Sequence, residues 1–266
     1  MNRITALFER QPTANLNVYF TAGYPQLNDT RRVLSALQAA GVDLVEIGMP
    51  YSDPVADGET IQESNQQALE NGMTVRLLFE QLEGMRTDGI TVPVLLMGYV
   101  NPVIQFGIER FCERCAEVGV DGLILPDMPM DVYLREYKAI FEKYGLLNIF
   151  LVTPQTSEAR IRQIDSVSEG FIYTVSSASV TGSKSGVSDN MEAYFNRINA
   201  MNLRNPRLIG FGIKDRATFD KACRYAHGAI IGSAFIRILQ HSKDFEREVK
   251  DFIGSIKANK STVIDV

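Results

Sequence analysis

Three carboxylates lie close together in the stretch EIGMPYSDPVADG, residues 46–58, which closes the hydrophobic run VDLVEIGM. They are Glu46, Asp53 and Asp57. A carboxylate facing an apolar interior is costly to desolvate, so it should be paired, hydrogen-bonded or retained for proton transfer. On the residues alone, a structural ion pair at Glu46 and turn or helix-capping roles at Asp53 and Asp57 remain open alternatives to acid–base chemistry.

Eight apolar runs, rich in β-branched residues, alternate with amphipathic segments along the chain. The runs are nearly continuous in hydrophobicity, which is typical of strands buried on both faces of a parallel sheet. They span 17–23, 43–49, 93–99, 121–127, 147–154, 170–176, 207–212 and 228–234. Eight strand–helix units in about 250 residues predict an α/β fold of the (β/α)8 TIM-barrel type with extra helices, and an open doubly wound sheet is the main alternative.

Helical segments with apolar residues at spacings of three and four fill the intervals between the strands. The predicted helices span 29–41, 74–86, 108–119 and 131–145, the second of which is an insertion. Helix boundaries are predicted at two N-caps and three C-terminal glycines, which are Asp29, Asp131, Gly41, Gly119 and Gly145. No linker interrupts the alternation, so we expect one TIM-barrel domain over residues 1–266.

Active sites of this fold lie on the loops that follow the carboxyl ends of the strands. Glu46 falls in the second strand and Asp57 on the loop after it, so both are expected at that mouth. The segments GFGI (210–213) and GSA (232–234) end the seventh and eighth strands, whose loops commonly hold a phosphate in this fold. The Ser- and Gly-rich segment 175–189 is long enough for a lid, although a merely solvated loop fits its composition equally well.

Other kinds of site are disfavoured by residue spacing. Asp215 stands where the third glycine of a dinucleotide fingerprint would be, and no nucleotide P-loop is present. Cys112 and Cys115 form a CxxC inside a predicted helix without a second pair, which favours packed cysteines over a redox or zinc site. The two histidines lie outside the predicted strand ends. Acid–base chemistry therefore falls to carboxylates and to tyrosines such as Tyr173.

Charge and composition limit the partners. The net charge of −5 and the sequence pI near 5.2 argue against a nucleic-acid or anionic-membrane surface. The first twenty residues hold only a short apolar stretch broken by charges, which fits neither a secretory signal nor a membrane span. Three cysteines do not make a disulfide framework. We expect a cytoplasmic protein that interacts with small molecules or proteins.

The stretch VEIGMPYSDPVADGETIQ (45–62) resembles the signature of the tryptophan synthase alpha subunit family, in which P-[FY]-S-D-P-x-A-D-G follows a strand with a catalytic glutamate. Further segments of that family recur in the same order: FTAGYP (20–25), LLMGYVNPV (95–103), GLILPDMP (122–129), VTG (180–182), GFGI and GSA. The chain departs from the usual pattern at Glu59, where proline is common, and at Ser179, where glycine is more common.

This resemblance implies a carbon–carbon lyase that splits indole-3-glycerol phosphate into indole and glyceraldehyde 3-phosphate by retro-aldol cleavage, late in tryptophan biosynthesis. It gives Glu46 the principal acid–base role and Asp57 a hydrogen bond to the indole N–H. No metal or cofactor is expected in this chain. Members of the family work in a heterotetramer of two alpha and two beta subunits, and pyridoxal phosphate belongs to the beta subunit, which receives indole through a tunnel.

The resemblance also implies the residues that bind substrate and partner. The apolar slot for indole would contain Tyr19, Met97, Tyr99 and Ile124, with Tyr173 at a pocket position that the family fills with tyrosine. The phosphate-binding segments would contribute Thr181, Gly182, Phe211, Gly212, Gly232 and Ser233. Communication with the beta subunit would involve Asp53, Asn101 and Pro102, the last two in a turn. The segments 50–60 and 177–189 correspond to mobile loops that close over substrate.

Three other interpretations stay open at this point. Another phosphate-binding barrel enzyme, such as an indole-glycerol-phosphate synthase or a phosphoribosyl isomerase, would need a catalytic lysine or cysteine at a strand end. A chain without activity could serve only to activate the beta subunit, although retention of Glu46 and Asp57 argues against this. A third variant would keep the chemistry but work alone and release indole.

Overall fold

The strands of this protein form one parallel sheet. The computed structural model describes residues 1–54, 57–176, 189–210, 212–242 and 244–257. The strands are β1 Asn15–Thr21, β2 Leu44–Gly48, β3 Val94–Met97, β4 Gly122–Ile124, β5 Leu147–Asn148, β6 Leu151–Val152, β7 Ile172–Val175, β8 Arg207–Gly210 and β9 Gly228–Ile231. Their order in the sheet is β5-β4-β3-β2-β1-β9-β8-β7-β6, and every pairing between neighbours is parallel.

The sheet closes into a barrel because β5 and β6 are two parts of one barrel strand. Only Ile149 and Phe150 separate them. The Ile149 N–H donates to the Leu123 carbonyl on one side, and the Tyr173 N–H donates to the Phe150 carbonyl on the other, each at 2.9 Å. The nine segments therefore correspond to the eight predicted strands. The predicted (β/α)8 barrel is confirmed, and the open doubly wound alternative is wrong.

Helices surround this barrel and include several beyond the eight of the basic fold. They are α1 Arg3–Arg10, α2 Thr30–Ala39, α3 Glu59–Glu70, α4 Val75–Leu82, α5 Val100–Phe106, α6 Ile108–Val118, α7 Met130–Val132, α8 Lys138–Lys143, α9 Glu158–Val167, α10 Asp189–Ala200, α11 Arg216–Cys223, α12 Ser233–His241 and α13 Phe245–Lys257. A π-helical turn, Tyr133–Tyr137, joins α7 to α8. The four predicted helical segments are all present.

One of the two predicted N-caps is wrong, and the three predicted glycine stops are confirmed. Asp29 is the N-cap residue of α2 as predicted, although its carboxylate makes no capping hydrogen bond and instead accepts from the Gln26 N–H and pairs with Arg32. Asp131 lies inside the first turn of α7, because that helix already begins at Met130. The three glycines have the positive φ that lets a chain leave a helix at low cost, +86° at Gly41, +85° at Gly119 and +68° at Gly145.

The barrel interior is filled with apolar side chains below the mouth. Successive strand residues point to opposite faces, so one set faces inward and the other packs on the helices. The inward cluster contains Leu44, Leu95, Ile124, Leu147, Ile149, Phe171, Tyr173, Val175, Leu208 and Ile230. Ile4 and Leu7 of α1 join it and are buried, so this helix closes the amino-terminal end of the barrel. The carboxyl ends of the strands are left for a site.

A buried carboxylate anchors that closed end. Asp121, 3% exposed, accepts from Arg3 of α1 at 2.9 Å, from Arg86 at 2.8 Å and from the Val94 N–H at 2.9 Å. Arg86 also donates to three backbone carbonyls, those of Gly119, Ile90 and Val92. One arginine therefore satisfies several acceptors where α1, β3 and β4 meet.

Replacing Arg86 with leucine should lower the free energy of unfolding by about 3–5 kcal/mol, because it leaves a buried carboxylate and three carbonyls short of donors. The matched control is Arg135→Leu, whose ion pair with Glu136 is exposed and should contribute less than about 1 kcal/mol. Urea unfolding of both variants measures the difference. Equal losses would contradict the role given to Arg86.

Candidate active site

Glu46 is the most deeply buried acid of the barrel mouth. It points inward from β2 and is 0% exposed. Its Oε1 accepts a hydrogen bond of 2.5 Å from the side-chain amide of Asn17, while Oε2 has no hydrogen-bond partner among the described residues. Burial raises the pKa of Glu46 to about 8, against the opposing effect of the Asn17 hydrogen bond. Within the described residues no ion pair involves Glu46, which removes the structural alternative.

Asp57, the second carboxylate of the mouth, differs from Glu46 in its protonation state at neutral pH. It directly precedes Gly58, the N-cap residue of α3, and its backbone N–H donates to the Pro54 carbonyl at 3.2 Å. Its carboxylate accepts from the Tyr99 hydroxyl at 3.3 Å. Burial raises the pKa of Asp57 to about 6, again opposed by this hydrogen bond. At neutral pH, therefore, Asp57 is mainly ionised while Glu46 is mainly protonated.

Two buried tyrosines line the space around these acids. Tyr19 lies beside Glu46 in the β1–β2 register, and Tyr173 points inward from β7. Burial raises the pKa of both hydroxyls, and the negative charges of Asp57 and Glu46 raise each pKa further. The tyrosines thus stay protonated at neutral pH and can donate hydrogen bonds, and the acid–base role considered for Tyr173 stays a prediction.

Each tyrosine ring lies against a glycine of the neighbouring strand. A Cβ at Gly48 would approach the Tyr19 hydroxyl oxygen to 2.1 Å, and one at Gly210 would approach that of Tyr173 to 2.3 Å. In both pairs the glycine is two residues beyond the tyrosine's partner in the register. Glycine is therefore required at these strand ends because the ring occupies the space of a side chain.

Apolar and aromatic residues continue the wall across β3 and β4. The register places Met97 beside Gly48 and Ile124 beside Met97, so both lie at the level of the mouth. Ile124 is fully buried, and Met97 is partly exposed. The Tyr99 ring stacks at a tilt on Tyr51, with ring centroids 5.1 Å apart. The predicted indole slot residues are thus brought together around the two carboxylates.

The predicted partner-communication residues lie on the surface next to this wall. Asp53 is exposed and accepts from the Ser52 hydroxyl at 2.7 Å. Asn101 donates to the Tyr51 hydroxyl at 3.4 Å. Asn101 and Pro102 do not form a separate turn as predicted, since both lie in the first turn of α5, where proline loses no helical hydrogen bond.

The predicted phosphate end is described in part. Gly232 is the N-cap residue of α12, and Ser233 begins that helix, so its first N–H groups point out of the helix end. Gly212 has a φ of +76° after β8. By contrast, the Asp215 carboxylate occupies the start of α11, where it accepts from the Thr218 N–H. Thr181, Gly182, Phe211 and most of the predicted lid lie outside the described residues.

The first departure from the family pattern has a local explanation. Glu59 is the first residue of α3. Proline is common at that helical position, and an acidic residue is also favourable there because it faces the positive end of the helix dipole. Helix initiation is therefore preserved. Ser179, the second departure, lies outside the described residues.

Redox and metal chemistry find little support in the described part of the chain. Cys112 and Cys115 are fully buried in α6, and burial raises the pKa of both thiols. In the same residues no group of three or more His, Cys, Asp or Glu side chains could hold a metal ion. None of the described helices has both the length and the apolar character to cross a membrane.

Comparison with known sequences decides the family. The family model described as "Tryptophan synthase alpha chain" matches residues 6–263. The chain belongs to this family. A tryptophan synthase alpha chain from Flavobacterium johnsoniae is 57% identical over 97% of this chain and 100% of its own length. A tryptophan synthase alpha chain from Christiangramia forsetii is 54% identical over 97% of this chain and 99% of its own length.

Solved structures of the tryptophan synthase alpha chain family share the fold. The alpha subunit from Legionella pneumophila superposes with a TM-score of 0.85 at 29% identity, covering 96% of this chain and 97% of that one. A chain of tryptophan synthase from M. tuberculosis, in an aminoacrylate-bound form, superposes with a TM-score of 0.83 at 29% identity, covering 96% of this chain and 98% of that one. The likeness thus extends over nearly the whole barrel.

Sequence reasoning missed three polar residues that hold this alpha-chain site in place. Asn17 contacts Glu46, and Thr21 shares a 2.7 Å hydroxyl hydrogen bond with Ser64 of α3. Asn17 and Thr21 lie at the two-residue spacing that carries Tyr19 inward. Polar residues at that spacing in an otherwise apolar strand were the sequence signal that could have indicated these inward-facing residues.

Replacing Glu46 with glutamine should remove a pH-dependent loss of stability. Because the folded-state pKa is raised from 4.5 to about 8, the folded protein binds this proton more tightly than the unfolded chain does. The stabilisation is complete below about pH 4.5 and is lost as pH rises through about 8, at about 1.4 kcal/mol per pH unit in between.

Urea unfolding at about pH 5 and about pH 9 measures this effect. Relative to wild type, Glu46→Gln should be more stable at the higher pH than at the lower. Glu9→Gln, an exposed change on α1, should show the same difference at both pH values. A pH-independent difference for Glu46→Gln would contradict the raised pKa.

Proposed function

We propose that this chain is a carbon–carbon lyase that cleaves indole-3-glycerol phosphate to indole and glyceraldehyde 3-phosphate, with Glu46 as the acid–base residue. The observation that carries the proposal is the pair of carboxylates at the open end of the barrel, Glu46 fully buried and Asp57 half-buried, whose pKa values are separated. Such a pair lets one acid exchange protons near neutral pH while the other stays ionised. Membership of the alpha chain family supports the same reaction.

One carboxyl group suffices for both proton transfers. Protonated Glu46 gives its proton to the indole ring carbon that carries the side chain. The resulting carboxylate then takes the proton of the hydroxyl on the adjacent side-chain carbon, as that carbon becomes a carbonyl and the carbon–carbon bond breaks. Indole leaves, and Glu46 is protonated again, so protons balance over the cycle. The two sites of transfer are on neighbouring carbons, within reach of one side chain.

Asp57 stabilises the positive charge that the ring nitrogen gains when the ring carbon is protonated. An ionised carboxylate that accepts the ring N–H supplies this interaction most strongly where water is excluded. The hydrogen bond from Tyr99 favours the ionised form of Asp57. Tyr19, Met97, Tyr99 and Ile124 form the apolar slot for the ring, and the Tyr173 hydroxyl faces the same space.

The phosphate binds at the opposite side of the mouth. Gly232 and Ser233 start α12, whose N–H groups and positive end favour an anion. Gly212 allows a close backbone approach after β8. Thr181, Gly182 and Phe211 complete this part of the proposal by resemblance to the family. The segments 50–60 and 177–189 would close over the substrate.

The partner is a tryptophan synthase beta subunit, in a heterotetramer of two alpha and two beta chains that passes indole directly between sites. Exposed Asp53 and Asn101, with Pro102, lie next to the Tyr51–Tyr99 pair that reaches Asp57. They can therefore couple partner contact to the carboxylate. Pyridoxal phosphate belongs to that partner, and this chain acts without a metal or cofactor, in the cytoplasm, on a small molecule.

The competing functions have less support. A barrel enzyme that relies on a strand-end cysteine is disfavoured because the cysteines lie in α6 and α11. An inactive activator would have no use for a buried acid whose Oε2 has no hydrogen-bond partner among the described residues, since such an atom costs folding free energy.

The direct test is indole release from indole-3-glycerol phosphate by the purified chain, with and without a beta subunit. Wild type should release indole slowly alone and faster with the partner. Glu46→Gln should lower kcat by roughly 10²–10⁴-fold because both proton transfers lose their carrier. Glu9→Gln, the same substitution at an exposed position of α1, should behave as wild type.

Each of the other outcomes would contradict a different part of this proposal. Near-normal turnover by a folded Glu46→Gln variant would remove Glu46 from the chemistry. No release by wild type under either condition would overturn the lyase proposal in favour of the activator. Fast release without any partner would retain the chemistry but remove the channelling role.

A further inference from the structure

Asn17 is a buried amide whose only described partner is the acid of the site. It lies in the middle of β1, faces the barrel interior with Tyr19, and is 0% exposed. Its Nδ2 donates to Oε1 of Glu46 at 2.5 Å, and its Oδ1 has no hydrogen-bond partner among the described residues. The contact is diagonal, since Asn17 is directly opposite Leu44 in the register and Glu46 is two residues further along β2.

The fold itself does not benefit from this amide. A buried polar group without its full set of hydrogen bonds costs about 1–3 kcal/mol, and a leucine of similar size would fill the same space without that cost. Asn15, two residues earlier, also has a buried Oδ1 without a partner among the described residues, but its amide nitrogen connects elements of the fold. Its Nδ2 donates to the carbonyls of Gln11 and His227, at 2.8 and 3.2 Å, and so joins α1 and β9 to β1. Asn17 makes no such connection in the described structure.

We propose that Asn17 is a positioning residue for the lyase reaction, which holds Oε1 of Glu46 and leaves Oε2 as the oxygen that exchanges the proton. This inference rests on the proposed function for its catalytic meaning. A carboxyl group free to rotate about its terminal bond would present either oxygen to the substrate. A donor fixed on one oxygen restricts that rotation and assigns the proton to the other.

The same hydrogen bond acts on the charge of Glu46. A donor to a carboxylate favours the ionised form, and burial favours the neutral form. At this site burial has the larger effect on the pKa of Glu46, and Asn17 opposes it. Without Asn17 the acid would hold its proton to a higher pH. It would then be a weaker acid and would give its proton to the ring carbon less readily.

The experiment removes the donor in two ways, because either variant could fail to fold. Asn17→Leu keeps the size of the side chain, and Asn17→Val is favoured in a strand. The control is Asn15→Leu, on the same strand and the same face, which removes an amide that does not touch Glu46. Each protein is titrated without substrate by infrared spectroscopy, with the carboxylic acid band of Glu46 identified by its loss in Glu46→Gln.

Asn17→Leu or Asn17→Val should move the titration of Glu46 upward by roughly one pH unit, and the alkaline limb of kcat/KM should move with it. Asn15→Leu should leave the titration at its wild-type position even if it lowers stability. An unchanged titration in a folded Asn17 variant would overturn the inference. An equal shift in Asn15→Leu would overturn it too, because the effect would then be general.

Failure of this inference and failure of the lyase proposal give different results. If wild type releases no indole, the function is wrong, yet the substrate-free titration still reports whether Asn17 holds Glu46. If wild type releases indole while the Asn17 variants keep both the wild-type titration and the wild-type pH profile, the positioning role alone is wrong.

Discussion

The desolvation of one carboxyl group is the constraint on which the rest of the site depends. Glu46 is completely buried inside the barrel mouth, and among the described residues a single hydrogen bond offsets its loss of water. That environment places its pKa near neutral pH, where a group can both give and accept a proton. Asp57, less buried and held by Tyr99, remains ionised beside it. Two chemically similar acids thus acquire two different roles from their surroundings.

The barrel excludes water from Glu46 by a repeated packing arrangement. Inward residues of a strand lean toward the carboxyl end of the next strand, so that Tyr19 covers Gly48 and Asn17 reaches Glu46. Tyr173 covers Gly210 in the same diagonal manner on the far side. Below them, the apolar cluster closed by α1 fills the barrel. The open end is therefore the only side from which a substrate can approach Glu46 within the described structure.

Much of the barrel and the position of Glu46 could be predicted from the sequence, because both depend on residue patterns within single segments. Apolar runs located all eight barrel strands, and the strand position of Glu46 predicted its inward direction. The cap at Asp131 was wrong because α7 begins one residue earlier, and Asp29 makes no capping hydrogen bond because neighbours such as Arg32 compete for its carboxylate. The role of Asn17 was missed because a diagonal contact between strands depends on register, which no single segment contains.

The most direct test of this account is the pH dependence of kcat/KM for indole release, which reports the ionisations of the free enzyme. The account predicts a bell with an acidic limb near pH 6, from Asp57, and an alkaline limb near pH 8, from Glu46. Asp57→Asn should lose the acidic limb and keep the alkaline one. A profile that is flat from about pH 5 to about pH 9 would contradict the claim that burial separates the two acids.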